Sequence, residues 1–116
     1  MNLEILLKKT AINAGQLKYD DLIKNINRIY EATPWYDKLL MGVKNINDMI
    51  KFYDEIIKGN YGTVLTELSF ELENPFRGFI LTLKESNSAI FIANLVVLPE
   101  YRKQGLGTLL VKKSFE

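Results

Sequence analysis

The stretch AIFIANLVVL (89–98) constrains the fold most strongly. Read as a strand, it is apolar on both faces. Phe91, Leu95 and Val97 lie on one side, and Ile90, Ile92 and Val96 on the other. A strand of that kind belongs in the middle of a sheet with a covering layer on each face. The chain then meets Pro99, a cluster of charge, and two glycines one residue apart. Leu106, Leu109, Leu110 and Phe115 follow at helical spacing. The order is strand, turn, helix, and the rest of the chain has to supply neighbouring strands and the helices that cover them.

It contains candidates for both. Tyr19 to Glu31 repeats Leu22, Ile26 and Ile29 at helical spacing, with Asp20 or Asp21 as cap and Pro34 closing the region. Residues 35–40, WYDKLL, read as a connection with helical character. Asn47 opens a second helix with Ile50, Tyr53 and Ile57 as its stripe, Met49 and Ile56 alongside, and Gly59 as its stop. The period then changes to two. Val64, Leu68, Phe70 and Leu72 alternate with Glu67, Ser69 and Glu71, as in a half-buried strand with a solvated polar face. ENP (73–75) is a turn, Phe79 to Leu83 a second strand, and ESNS (85–88) the next turn. Leu3 to Lys8 is apolar and reads as a further strand, with a helix start as the alternative. There is no repeat or linker, so residues 1–116 form a single domain, of a size common for one.

Composition narrows the chemistry. The chain has no cysteine and no histidine, which excludes disulfides, thiolate nucleophiles, Cys/His metal sites and any triad with an imidazole base. A net charge of +1 gives no electrostatic footprint for nucleic acid or an anionic membrane. The amino-terminal MNLEILLKKT places its lysines after the apolar run, unlike a secretory signal. The longest uncharged run, 86–99, is too short to span a bilayer, and a cytoplasmic location is the default expectation.

The turn RKQGLG (102–107) has the parts of a pyrophosphate site. The first turn of a helix presents N–H groups without intrahelical partners, and the helix dipole adds partial positive charge there. Gly105 and Gly107 leave the backbone open to a ligand, and Arg102 and Lys103 add cations. The nucleotide-hydrolase phosphate loop and the dinucleotide fingerprint GxGxxG are both missing.

In context, LVVLPEYRKQGLGTLLV closely resembles the acyl-CoA signature of the GNAT superfamily of acetyl-CoA-dependent N-acetyltransferases. Val97, Pro99, Tyr101, Arg102, Gly105 and Gly107 fall on its positions. FRGFILTL (76–83) is similar to the strand that precedes the signature, and the order of helices and strands also agrees. The resemblance implies an α/β (α+β) fold with a mixed sheet. It implies acetyl transfer from acetyl-CoA, the cosubstrate, to a primary amine by direct attack on the thioester, with no metal. The backbone from Arg102 through Lys103, Gln104, Gly105, Leu106, Gly107 and Thr108 would hold the pyrophosphate. The main chain at Leu95, Val96 and Val97 would pair with the pantetheine arm, and Asn94 is where the family's strand bulge would fall. Glu67, Glu71 and Glu100 are the candidate bases, each with a solvated surface role as the competing reading. Trp35 and Tyr36 lie where the family's substrate loop falls, with core packing as their alternative.

The sequence stops at Phe115–Glu116, inside the CoA-binding helix, where the family pattern continues with further strands. The expectation is therefore a GNAT domain truncated after that helix, with an open apolar strand edge. Such a chain is a fragment, or completes its sheet as a homodimer or with a partner chain, or is a non-catalytic CoA-binding or assembly module.

Overall fold

The computed structural model describes residues 13–85 and 89–115. The strand expected at Leu3–Lys8 lies outside them. Among the described residues the order is β1 (Asn13–Gln16), α1 (Tyr19–Lys24), α2 (Ile26–Ala32), α3 (Trp35–Met41), α4 (Ile46–Ile57), β2 (Thr63–Val64), β3 (Phe70–Glu73), β4 (Gly78–Lys84), β5 (Ile90–Val97) and α5 (Leu106–Ser114). One-turn 3₁₀ helices sit at Thr66–Leu68 and Pro99–Tyr101. The single amphipathic run at 19–31 is two helices, broken at Asn25, whose side chain donates to the Asp21 carbonyl at 2.8 Å. Asp20 and Asp21 occupy the first turn of α1 instead of capping it. In α4 the cap is Asn45, whose side chain accepts from the Asp48 N–H, and the buried stripe is Met49, Tyr53 and Ile56. Ile57 is exposed.

The sheet is antiparallel in all its strand pairings: β1 with β3, β3 and β2 with β4, and β4 with β5. The helices α1, α2 and α4 cover one face, where Leu22, Ile29, Met49 and Tyr53 meet Phe79, Leu81 and Leu83. On the other face α5 packs Leu106, Leu109 and Leu110 against Leu72 and Ile80.

One expectation needs correction here. The strand expected over Val64–Leu72 is interrupted by the turn at 66–68, and of its polar side only Glu67 is solvated. Ser69 and Glu71 are both buried. Ser69 repairs the break in the ladder: its hydroxyl accepts from the Thr82 N–H at 3.0 Å and donates to the Leu65 carbonyl at 2.9 Å. Buried backbone groups left without ladder partners need such substitutes. Among the described residues β5 pairs with β4 alone and forms an open edge of the sheet, in line with the open apolar edge expected above. Ile90, Ile92 and Leu95 are exposed on it.

Gly78 lets the start of β4 lie close to the end of β5. A Cβ there would stand 2.4 Å from the Val96 carbonyl oxygen and 3.0 Å from Val97 Cα. This tight pairing fixes the end of β5 from which the turn and α5 depart.

Candidate functional site

The turn leaves β5 through the Pro99–Tyr101 helix. Lys103 and Gly105 both adopt left-handed backbone, at φ 63° and 77°. Gly105 suits that region without strain and caps α5. The first bond inside α5 runs from the Leu109 N–H to the Gly105 carbonyl at 3.0 Å. The N–H groups of Leu106, Gly107 and Thr108 therefore have no acceptor within the helix. They border a cavity of about 250 Å³ whose lining includes Lys103, Gly105, Gly107 and Thr108. Gln104, expected in the same set, is exposed and does not line it.

Arg102, beside this cavity, is also tied to the protein. Its guanidinium donates through Nε to the Val97 carbonyl at 3.0 Å and through a terminal nitrogen to the Ala32 carbonyl at 2.9 Å. It ties the end of β5 to the end of α2. These two bonds brace the turn, and Arg102 also lines the cavity at the start of α5.

A second cleft, of about 300 Å³, runs beside β5. One wall is the strand, from Asn94 to Val97, and the other is the segment from Ala32 to Asp37. The strand's hydrogen bonding explains what faces it. The Leu98 N–H bonds to the Arg77 carbonyl, so Leu98 and, by alternation, Val96 turn their backbone groups toward β4. Leu95 and Val97 turn theirs toward the open edge. The Val97 carbonyl is taken by Arg102; the Val97 N–H and both backbone groups of Leu95 face outward. The register slips beyond that point. Leu81 pairs with Asn94 but Thr82 pairs with Ile92, leaving Ala93 as the extra residue of a bulge. The bulge is pinned from behind: the Tyr53 hydroxyl donates to Asn94 Oδ1 at 2.7 Å. Burial pushes the Tyr53 hydroxyl well above the ordinary phenol range, so it remains a donor.

The two cavities share Val97, Arg102 and Gly107, and so meet at the start of α5. None of the three candidate bases lines either one. Glu67 is exposed on its 3₁₀ turn. Glu100 is ion-paired with Arg28. Glu71 is buried under α1, where Oε1 accepts the Lys18 N–H at 2.8 Å. Burial, then the neighbouring Asp21, push its carboxyl up to about 7, against the opposing pull of that N–H. Trp35 and Tyr36 are exposed on α3, which excludes core packing, and neither lines the cleft. The carboxylate that does line it is Asp37. Residue patterning missed it. Pro34 and Asp37 mark the start of a helix, but nothing local tells which way Asp37 faces.

With this geometry, the match to a known family carries weight. The family model described as the acetyltransferase (GNAT) family covers residues 29–116, and the chain belongs to that family. No curated protein matches the chain. Members of the family bind an acyl-CoA and an acceptor. Among the described residues no helix is long and apolar enough to cross a membrane, and no group of acidic side chains is arranged to hold a metal ion.

Proposed function

We propose that this chain is an N-acetyltransferase that uses acetyl-CoA to acetylate a primary amine. The observation that carries the reading is the meeting of two cavities along one strand edge. A helix start with unpaired N–H groups lies at one end, and a bulged strand with outward backbone groups at the other. A long ligand with a pyrophosphate at one end and a thioester at the other suits that trough. The N–H groups of Leu106, Gly107 and Thr108 would take the pyrophosphate. The Leu95 backbone groups would pair with the amide-bearing arm as an added strand does.

Chemistry without an imidazole or thiol is adequate here, because the thioester arrives activated and the protein supplies proximity. The amine, having lost one proton, attacks the carbonyl carbon. A C–N bond forms and the C–S bond breaks. The second amine proton balances the departing thiolate, so the products are the amide and CoA thiol, with one proton released to solvent. The Val97 N–H, facing the trough, is placed to stabilise oxygen charge in that step.

The test is calorimetric titration of acetyl-CoA into the 116-residue chain, followed by an amine panel read by free thiol release. Micromolar binding with thiol release dependent on an amine supports the reading. Binding without turnover on any amine favours the non-catalytic CoA-binding module. A folded chain that binds no acetyl-CoA removes the proposal.

A further inference from the structure

Asn94 stands at the bulge of β5 with one end of its side-chain amide committed and the other free. We infer that Asn94 Nδ2 donates a hydrogen bond to an amide carbonyl of the CoA arm, and that Tyr53 is the positioning residue that aims it. This inference rests on the acyl-transfer reading above and adds a pair of side chains to a strand contact made there by backbone alone.

The two ends of the amide have different surroundings. Oδ1 accepts from the Tyr53 hydroxyl at 2.7 Å. Tyr53 is fully buried in α4, its ring edge-to-face with Phe79, so this anchor is fixed by the core. Nδ2 has no partner among the described residues. Asn94 is half-buried and lines the cleft, so that nitrogen is not sealed inside the protein. A side-chain amide is planar, and holding its oxygen toward the core fixes where its N–H groups point. A donor aimed in advance loses little rotamer freedom when a ligand arrives.

An amide nitrogen only donates, so what it complements is an acceptor. The CoA arm carries two amides, each with a carbonyl oxygen. The Leu95 N–H can take one of them in the manner of an added strand. Asn94 is the adjoining residue, and its donor is left for the other. The neighbouring Thr33 hydroxyl does not compete, because it donates to the Ile29 carbonyl at 2.7 Å. The competing role for Asn94 is internal: Oδ1 holds the bulge through Tyr53, and Nδ2 meets only water. The two roles use different atoms of one side chain, and substitutions can separate them.

The probes are CoA and 3′-phospho-ADP, which is CoA without its arm, each titrated by calorimetry into wild type and three variants. Asn94→Ala removes donor and anchor together. Asn94→Asp keeps an oxygen for Tyr53 but has no N–H. Tyr53→Phe keeps the donor and removes what aims it. Wild type is expected to bind CoA more tightly than 3′-phospho-ADP. Asn94→Ala and Asn94→Asp are each expected to weaken CoA binding about three- to tenfold, as the loss of one net hydrogen bond does, and to leave 3′-phospho-ADP binding unchanged. Tyr53→Phe is expected to lose part of the same preference. The inference is overturned if Asn94→Asp binds CoA as wild type does, since holding the bulge would then be the whole role. It is overturned equally if the Asn94 variants lose both ligands in parallel, if Tyr53→Phe keeps the full preference, or if wild type binds the two ligands alike. Should Asn94→Ala not fold, Asn94→Asp decides. Failure of wild type to bind either ligand is a separate result. It removes the acyl-transfer reading and this inference with it.

Discussion

Gly107→Leu separates ligand space from protein packing, because a side chain at this position meets little of the protein itself. A Cβ there would find Val97 Cγ2 at 3.9 Å, an ordinary contact, and no other atom closer than that. The residue lies in the first turn of α5 with helical backbone, where leucine is preferred to glycine by up to about 0.8 kcal/mol. The fold should therefore hold, with stability unchanged or raised by at most about 1 kcal/mol. For a domain of this size that is a midpoint increase of no more than about 4–8 °C. The leucine side chain would instead project into the 250 Å³ cavity where the pyrophosphate is proposed to sit. Each hydrogen bond to a charged group that is lost costs about 1.5–3 kcal/mol, or roughly 10- to 150-fold in affinity. The assay is calorimetric titration of acetyl-CoA, with thermal unfolding of the same sample. Gly107→Ala serves as a graded control, adding one methyl at the same spot. Undiminished affinity in a folded Gly107→Leu protein would refute the placement of the pyrophosphate. Unfolding would refute the claim that this glycine is required by the ligand and not by the core.

Gly78→Ala is the opposite case. Its Cβ would meet the Val96 carbonyl at 2.4 Å, so overpacking should cost about 1–3 kcal/mol, read as a lower denaturant midpoint. Tyr53→Phe keeps the ring packed on Phe79 but leaves Asn94 Oδ1 without its donor. A loss of about 1–3 kcal/mol is expected in chemical unfolding, and an unchanged midpoint would show the bulge is held by other means. Glu71 gives a pH signature. Its folded-state carboxyl titrates near 7 and the unfolded one near 4.5, so the folded chain binds the extra proton between those values. Its contribution should therefore make stability fall as pH rises from about 4.5 to 7 and level off above that. Glu71→Gln should flatten this slope and be more stable than wild type at pH 7.5; a slope unchanged by the substitution would assign it to other groups.

Much of the architecture was legible from residue order alone. The alternation of apolar residues located β3 to β5, the helical periods located α4 and α5, and RKQGLG marked the turn between β5 and α5. These are local consequences of side-chain spacing and backbone preference, and local signals survive folding. Within the apolar face read for α4, it is Met49, Tyr53 and Ile56 that are buried and Ile57 that is exposed, because the neighbour that a helix faces decides its rotation.

What tertiary structure alone decided is where polar groups end. Glu71 has the spacing of a solvated strand residue, yet α1 covers it and the Lys18 N–H binds it. Arg102 has the position of a phosphate cation, and it also clips two carbonyls 65 residues apart in sequence, at Ala32 and Val97. Asp37 gave no signal beyond a helix start, yet it faces the trough beside β5. A sequence specifies which residues share a strand or helix face through the fixed periods of the backbone. It does not encode in any short window which distant segment will cover that face. Partner, burial and free charge are set by long-range packing, and at this site they are what selects the chemistry.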